Sequence, residues 1–505
     1  MTSLNNVKDA GSGPAVLIVG AGPTGLTLAV DLARRGVPAL LVERADGLFP
    51  GSRGKGLQPR TLEVFDDLGV IDRVLAAGGP YPRVMTWEDD RQLGEHDMAV
   101  RSPGPVPGVP YPEGVMLPQW RTQRVLYEGL RELGGDVLFG TALTELAQDE
   151  SGVTARLGNG ESVRSRWLVA ADGGRSTVRG LLGIGMTGET VATEPMLVAD
   201  ARVEGLSREH WHMWPKAPGG GIALCPLAGT DQFQISAKLG ENGHPGGPGG
   251  PGTGLADVRR LVAERTPLDA SAVRDLSWAS TFVARAALAD RFRDGRVLLA
   301  GDAAHIHSPM GGQGLNTSVQ DAYNLGWKLA AALADPGTEE ALLDSYERER
   351  VEVAADVLGL STRLHRAADA GREEGRRRGR EVLQLDLGYR TGPLSRDTRG
   401  TPDGTLRAGD RAPDAECALP DGTPLRLFDA FRGPHCTLLA VGGAPADGAV
   451  PAVPLPVRTY AVTMTEPHAR EAYGTRPALF LIRPDGYVGL ATEDPAEVAG
   501  YTLRP

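Results

Sequence analysis

Residues 16–43 constrain this chain more than any other stretch. Val16, Leu17, Ile18 and Val19 form an apolar, β-favouring run that leads into Gly20-Ala21-Gly22-Pro23-Thr24-Gly25. A helical pattern of Leu26, Leu28, Ala29, Leu32 and Ala33 follows, and a second strand-like run, Ala39–Val42, ends in Glu43, eighteen positions after Gly25. Each part has a physical task. Gly20 permits the tight turn, Gly22 lets backbone amides approach a pyrophosphate, and Gly25 lets helix and strand pack closely. The helix N-terminus, with Pro23 at its first position, favours phosphate charge, and Glu43 can accept a hydrogen bond from an adenosine ribose hydroxyl, with Arg44 beside it. A glycine turn alone is common; strand, turn, helix, strand and acid in this order point to a bound dinucleotide.

Composition bounds what else the chain can do. With 505 residues, 41% hydrophobic and 23% charged, it has room for roughly two to four domains of ordinary globular character. A formal net charge of −11 leaves no basic surplus for nucleic acid. The polar stretch Met1 to Gly13 lacks the apolar core of a secretory signal, and no run is long enough to span a bilayer. Cys225, Cys417 and Cys436 form no CxxC pair and read as reduced core residues, so a cytoplasmic location is expected.

Helices are expected over Pro59–Leu68 and Arg121–Leu133, and strands at 137–139, 153–157, near Val163 and at 167–171. Residues 181–284 read as mostly β, with two-residue alternation at Ile222-Leu224-Pro226 and Phe233-Ile235-Ala237-Leu239. Gly240–Gly254 is dense enough in Gly and Pro to be a mobile surface loop. A helix from Thr317 to about Leu333 places Val319, Ala322, Gly326, Leu329 and Ala330 on one face, opposite Gln320, Asp321 and Lys328. The run Gly371–Arg380, with five arginines, reads as a linker or a solvated helix face.

Two further glycine–acid elements each follow a buried strand: Leu168–Ala171 runs into Asp172-Gly173-Gly174-Arg175-Ser176, and Val297–Ala300 into Gly301-Asp302-Ala303-Ala304-His305. The latter continues to Pro309-Met310-Gly311-Gly312-Gln313-Gly314-Leu315-Asn316. An acid at a strand's carboxyl end sits where open α/β sheets hold ligands. Asp302 can take a ribityl hydroxyl, and a helix beginning near Gly312–Asn316 can face the pyrimidine edge of a flavin, which gains negative charge on reduction.

Together the three elements, over roughly residues 14–365, resemble the flavoprotein monooxygenases of the aromatic hydroxylase group, with the p-hydroxybenzoate hydroxylase-like fold. That resemblance implies an α/β architecture: a Rossmann-like FAD-binding domain (1–78, 116–180, 285–370) with an inserted β-rich substrate domain (79–115, 181–284). Ser52-Arg53-Gly54, Gln58-Pro59-Arg60-Thr61-Leu62-Glu63 and Pro118-Gln119 resemble bacterial hydroxylases of aromatic polyketides or phenols, which carry a thioredoxin-like C-terminal domain. Residues 371–399 would then be a linker, and 400–505 that domain; lacking CxxC, it would be structural or oligomer-forming, serving a homodimer.

The resemblance also implies chemistry. In the family, NADPH or NADH reduces FAD, O2 adds to form a flavin C4a-hydroperoxide, and one oxygen passes to an electron-rich ring. A single GxGxxG implies transient nicotinamide binding, with Asp172, Arg175 and Arg179 as candidate receivers. Gln119 matches a position near the cofactor, and Pro309 one against the isoalloxazine edge. Arg53 can pair with the pyrophosphate or steady a developing oxyanion, and both roles stay open. Trp211, Met213, Trp214 and Phe233 are candidates for an apolar wall around a flat polycyclic ligand, or for ordinary sheet core. Asp302, His305 and His307 superficially form a two-His-one-carboxylate iron set, but the short spacing suits a loop passing a flavin, so no metal is expected. Trp211-His212-Met213-Trp214-Pro215 lacks the spacing of a halogenase motif. Baeyer–Villiger oxygenation on the same scaffold, and a non-catalytic flavoprotein that carries an aromatic ligand, are the alternatives.

Overall fold

The computed structural model describes residues 13–503 apart from 103, 193, 241–246, 249–251, 373–378, 401–403 and 446–449. Most of Gly240–Gly254 and of the arginine run in Gly371–Arg380 therefore lies outside the described residues.

The first sheet begins with β1 (Val16–Val19), whose four side chains are all buried. Helix α1 (Pro23–Arg34) follows the glycine turn, and β2 (Ala39–Val42) returns beside β1 in parallel register, Val16 opposite Ala39. Helix α2 (Gln119–Glu132) leads to the edge strand Val137–Leu138, and β3 (Trp167–Ala170) pairs with the other side of β1, Val16 opposite Trp167. Unbroken apolar strands are what a parallel sheet covered on both faces requires.

The inserted sheet contains β4 (Met196–Val203), β5 (His210–Trp214), β6 (Ile222–Pro226) and β7 (Gln232–Lys238). Helix α3 (Leu255–Arg265) packs on one face, and β8 (Val273–Phe282) pairs with β4. Strands Arg83–Glu88 and Arg91–His96 complete the sheet beyond β5.

The chain then returns to the first sheet through β9 (Val297–Leu299), parallel to β3. The six-stranded order is Arg293–Asp294, β9, β3, β1, β2, Val137–Leu138. Helix α4 (Gly314–Ala334) starts three residues before the position expected from periodicity, because the positive-φ turn sits at Gly311 (φ 81°) and Gly312 (φ 65°), upstream of it. It crosses α1 so closely that a Cβ on Gly326 would lie 2.1 Å from Asp31 Oδ2. The polar side expected opposite its apolar face is buried as well: Gln320, Asp321 and Lys328 are all enclosed, with partners on the 31-residue α5 (Glu339–Asp369) and beyond.

The C-terminal sheet has the order Arg396–Asp397, Val488–Thr492, Ala478–Ile482, Cys436–Val441, Val457–Met464, Glu416–Ala418, Pro424–Arg426. Its first strand comes from the stretch expected to be linker, so that stretch is in part sheet edge. The unit is joined to the rest by buried ions: Glu349 on α5 binds Lys328 of α4 (2.7 Å) and Arg483 (2.7 and 2.9 Å), while Asp485 accepts from Asn324 and Trp327.

Candidate active site

Strands β1, β3 and β9 are neighbours, so the loops that leave their carboxyl ends converge. A Cβ on Gly20 would lie 2.4 Å from Ala171 O and 2.9 Å from Asp172 Cα, so the first turn rests directly on the Asp172 element. A Cβ on Gly301 would meet Thr24 Oγ1 at 2.4 Å, which joins the third element to the same turn. Arg179 closes the triangle, donating to Ala303 O (2.9 Å) and Gly174 O (3.0 Å). Gly25 packs against Gly20, where its Cβ would be 1.9 Å from the carbonyl oxygen. Gly22 differs: a Cβ there would meet no protein atom within 4 Å, at the open N-terminus of α1.

The acids divide their work. Glu43 Oε2 accepts from Ala21 N–H (2.8 Å) and Oε1 from Ala45 N–H (3.0 Å), which aims the carboxylate at the turn while leaving each oxygen a further lone pair. Arg44 is exposed beside it. Asp172 is spent locally, accepting from Ser176 Oγ (2.5 Å) and from the amides of Thr177 (2.7 Å) and Val178 (3.2 Å). Asp302 is solvent-exposed where these loops meet. The protein around it raises its carboxyl pKa, with Asp321 adding to the shift and His305 and Arg53 opposing it.

Arg53 faces Asp302 with Arg175 nearby; burial lowers its pKa, and Asp302 works the other way. Its guanidinium lies 5.4 Å from the Phe49 ring centroid and 5.9 Å from that of Trp278. The loop carrying it is held by Gln119, whose Oε1 accepts from Gly54 N–H (3.0 Å) and whose N–H donates to Gly54 O (2.9 Å). Gln123, which sequence reasoning passed over, adds a bond to Phe49 O (3.1 Å). Leu315 packs against Gly54, and Pro309 is exposed at the turn before Gly311 and Gly312. The Asn316 side chain is committed to Gln58 N–H (2.8 Å), Gly56 O (3.0 Å) and Gly312 O (2.8 Å). The backbone amides of Gly314, Leu315 and Asn316 lie in the first turn of α4, where helix N–H groups have no intrahelical acceptor. His305 and His307 bond to each other (2.9 Å), and His305 bonds Asp321 (2.5 Å) rather than joining Asp302. Among the described residues no group of three His, Cys, Asp or Glu can hold a metal ion.

Open space at the Gly22 Cβ position, the acids Glu43 and Asp302 at the converging loops and a helix N-terminus at Gly314 fit an extended FAD. Residues 14–361 match the family described as FAD binding domain, and residues 405–504 match that described as aromatic-ring hydroxylase, C-terminal. The chain belongs to the FAD-dependent aromatic-ring monooxygenases. It is 43% identical to a flavin-dependent monooxygenase of Mycobacteroides abscessus, over 97% of this chain and 99% of that one. It is 39% identical to 6-methylpretetramide 4-monooxygenase of Streptomyces rimosus, over 70% of this chain and 61% of that one. The solved structure of aklavinone-11 hydroxylase with FAD and aklavinone superposes with a TM-score of 0.79 at 28% identity, over 98% of both chains. As a monooxygenase of this family the protein uses FAD, reduced by NAD(P)H, to activate O2.

The monooxygenase's inserted sheet turns one face to this cleft, and alternation decides which residues it presents. Trp214 and Phe233 do not belong to the wall expected from sequence: both lie in the core against α3, Trp214 stacked on Trp87 at 5.6 Å. Trp211 and Met213 point to the other side, with Tyr81 and Met116. Period-2 strands must send neighbours such as Met213 and Trp214 to opposite faces. On the Trp211 side sequence reasoning missed Asp200, Gln234, Trp278 and Ser280. Gln234 donates to Ser52 O and accepts from Lys55, whose Nζ lies 4.4 Å from the Trp211 ring, so the Arg53 loop is tied to the sheet. Burial raises the Asp200 pKa to about 6, with Ser52 and Lys55 pulling it down. Ser280 Oγ and the indole nitrogens of Trp211 and Trp278 are buried with no hydrogen-bond partner among the described residues, while Asp200 lies within hydrogen-bonding reach of Ser52.

Proposed function

We propose that this monooxygenase hydroxylates a fused-ring phenol of the aromatic polyketide type, held between the inner face of the inserted sheet and the isoalloxazine of FAD. The observation that carries this reading is the pairing of two features at one boundary. Indole faces at Trp211 and Trp278 suit a flat ring system, and the buried polar groups of Asp200, Ser52 and Ser280 lie at the same boundary. Ser280 Oγ and both indole nitrogens lack a partner among the described residues; such buried groups are rare in native proteins, so their clustering with Asp200 favours a ligand that carries hydroxyl and keto groups over a bare hydrocarbon. The relatives named for 6-methylpretetramide and aklavinone agree with a ligand of that shape.

In this reading the residues divide the cofactor among them. FAD supplies electron storage and O2 activation. Backbone amides around Gly22 and α1 receive the pyrophosphate, Glu43 the adenosine ribose, Asp302 the ribityl chain, and the α4 amides of Gly314–Asn316 the pyrimidine edge. Arg53 lies where sheet and flavin loops meet, and its charge serves the reacting end. The Asp172 element, through Arg175 and Arg179, is the receiving side for the nicotinamide. Phe49, Trp278 and the loop held by Gln119 keep water from the reactive space.

The test uses purified holoprotein, a panel of polycyclic phenols and quinones, and NAD(P)H oxidation followed at 18O2 saturation. The expected result is substrate-stimulated oxidation with one labelled oxygen appearing as a ring hydroxyl. A labelled lactone would replace this reading with Baeyer–Villiger oxygenation, and tight ligand binding without faster flavin reduction would refute the substrate assignment.

A further inference from the structure

The connector between α5 and the C-terminal sheet falls in the gap between the two matched family segments, 14–361 and 405–504. Where it is described it reaches back to the flavin site. Arg380–Leu383 form one 3-10 turn, and Gln384 follows in the left-handed region at φ 60°, ψ 21°. Among the described residues only Asp89 and Gln384 adopt positive φ without being glycine. Asp89 sits at an exposed hairpin tip, whereas Gln384 is 2% exposed. A long side chain is held in such a conformation only when its surroundings over-determine it.

Those surroundings are the start of α4. Gln384 Nε2 donates to Gln313 Oε1 (2.8 Å) and Thr317 Oγ1 (3.1 Å), and its Oε1 accepts from Gln320 Nε2 (2.6 Å). Gln313, fully buried, carries the contact onward through Nε2 to Gly311 O (2.8 Å) and Val382 O (3.1 Å). Two amides in series, Gln384 and Gln313, thus link the connector, the Gly311–Gly312 turn and the first two turns of α4. Val382, Leu383 and Leu385 pack with Leu364 and Met310, closing the apolar side of the same turn. Three residues on, Leu387 packs with Tyr389 and Tyr487, which ties the strap to the C-terminal unit.

We infer that Gln384 is a positioning residue for FAD, a clamp supplied by the connector that fixes the α4 amides against the flavin's pyrimidine edge. This rests on FAD binding, which the family establishes, and deepens the site proposed above. It also gives the C-terminal unit a task other than dithiol chemistry, because docking that unit holds the strap in place. The first-turn amides of a helix stabilise negative charge only at short range. A turn released by a few tenths of an ångström therefore weakens flavin binding and stabilises the reduced cofactor less.

The test uses full-length protein with Gln384→Glu, Gln384→Gly and Gln384→Asn. Glu keeps the shape but replaces the donors facing Gln313 and Thr317. Gly accepts the positive φ and removes the clamp, and Asn keeps an amide in a backbone conformation it tolerates. The readouts are FAD affinity by fluorescence titration of apoprotein, the midpoint potential of bound flavin, and the apoprotein Tm. Glu and Gly should weaken FAD binding ~10-fold, as expected for hydrogen bonds lost at a preorganised site. They should also move the potential to more negative values, with Asn partly restoring both and the Gly apoprotein keeping its Tm. Wild-type affinity and potential in the Gly variant would overturn the inference. So would losses that follow Tm alone across the series. Wild-type protein that fails to bind FAD would instead overturn the underlying cofactor reading.

Discussion

Gly22 and Gly25 lie three residues apart and respond to substitution for opposite physical reasons. A Cβ on Gly25 would sit 1.9 Å from Gly20 O, inside the fold, so Gly25→Ala must displace the turn from α1. A Cβ on Gly22 touches nothing within 4 Å, and its φ of −71° suits alanine. Gly22→Ala is expected to leave the apoprotein Tm nearly unchanged while weakening FAD binding ~10-fold or more, whereas Gly25→Ala lowers both; flavin content and thermal unfolding of the two variants separate the cases. Arg53→Ala should retain FAD yet lower kcat/KM about 100-fold, the usual scale for removing one preorganised charge from a reacting centre. Loss of FAD from that variant would instead assign Arg53 to the pyrophosphate. The glycines were legible in the sequence because each spacing has a single geometric use. The limits on Asp172 and Asn316 were not, since their local partners, the amides of Thr177 and Val178 and the backbone of Gln58, become visible only when the loops fold.

At the scale of elements, the inserted sheet shows how a correct pattern can still leave a site ambiguous. Alternation along Ile222–Pro226 and Gln232–Lys238 was readable, but both faces of the sheet are buried, one against α3 and one with Trp211, Ala223 and Cys225. Hydrophobicity therefore could not say which set lined the ligand, and Trp214 and Phe233 went to the wrong one. The two faces predict different mutants. Phe233→Ala should cost about 3–5 kcal/mol of stability with little change in substrate preference. Trp211→Ala should raise the substrate KM with a smaller loss of stability, because its ring meets Lys55 and the cleft; denaturant melts and kinetics on one substrate series distinguish them. Helix α4 gives a second lesson. Its polar stripe of Gln320, Asp321 and Lys328 lies opposite the apolar face, yet each of its side chains is buried against a partner from elsewhere in the chain.

Across the whole molecule, ionic groups rather than a flexible tether bind the C-terminal unit. Burial would raise the Glu349 pKa, but Arg483 and Lys328 outweigh it and hold the carboxyl at about 2, below its ordinary 4.5. Asp321 is held at about 2 in the same way, His305 and Arg350 overcoming burial. Both carboxylates have depressed folded-state values, so their stabilisation is fully present above about pH 4.5 and is lost as pH falls toward 2. Stability by urea unfolding should decline across that window. Glu349→Gln should be weaker by roughly 3–5 kcal/mol at neutral pH, because Lys328 and Arg483 stay buried with less compensation, and its acid decline should be shallower. An unchanged acid profile in Glu349→Gln would remove this cluster from the account.

The dinucleotide fold and the order of its three glycine–acid loops were written in local spacing. Local spacing suffices there because turns, helix starts and buried parallel strands obey short-range rules. Gln384 and Asp200 came into view only in three dimensions, as did the cleft-facing side of the inserted sheet and the ion cluster at Glu349. Each depends on which distant surfaces meet, and a one-dimensional pattern of polar and apolar residues is the same whether its partner is water, a ligand or another part of the chain.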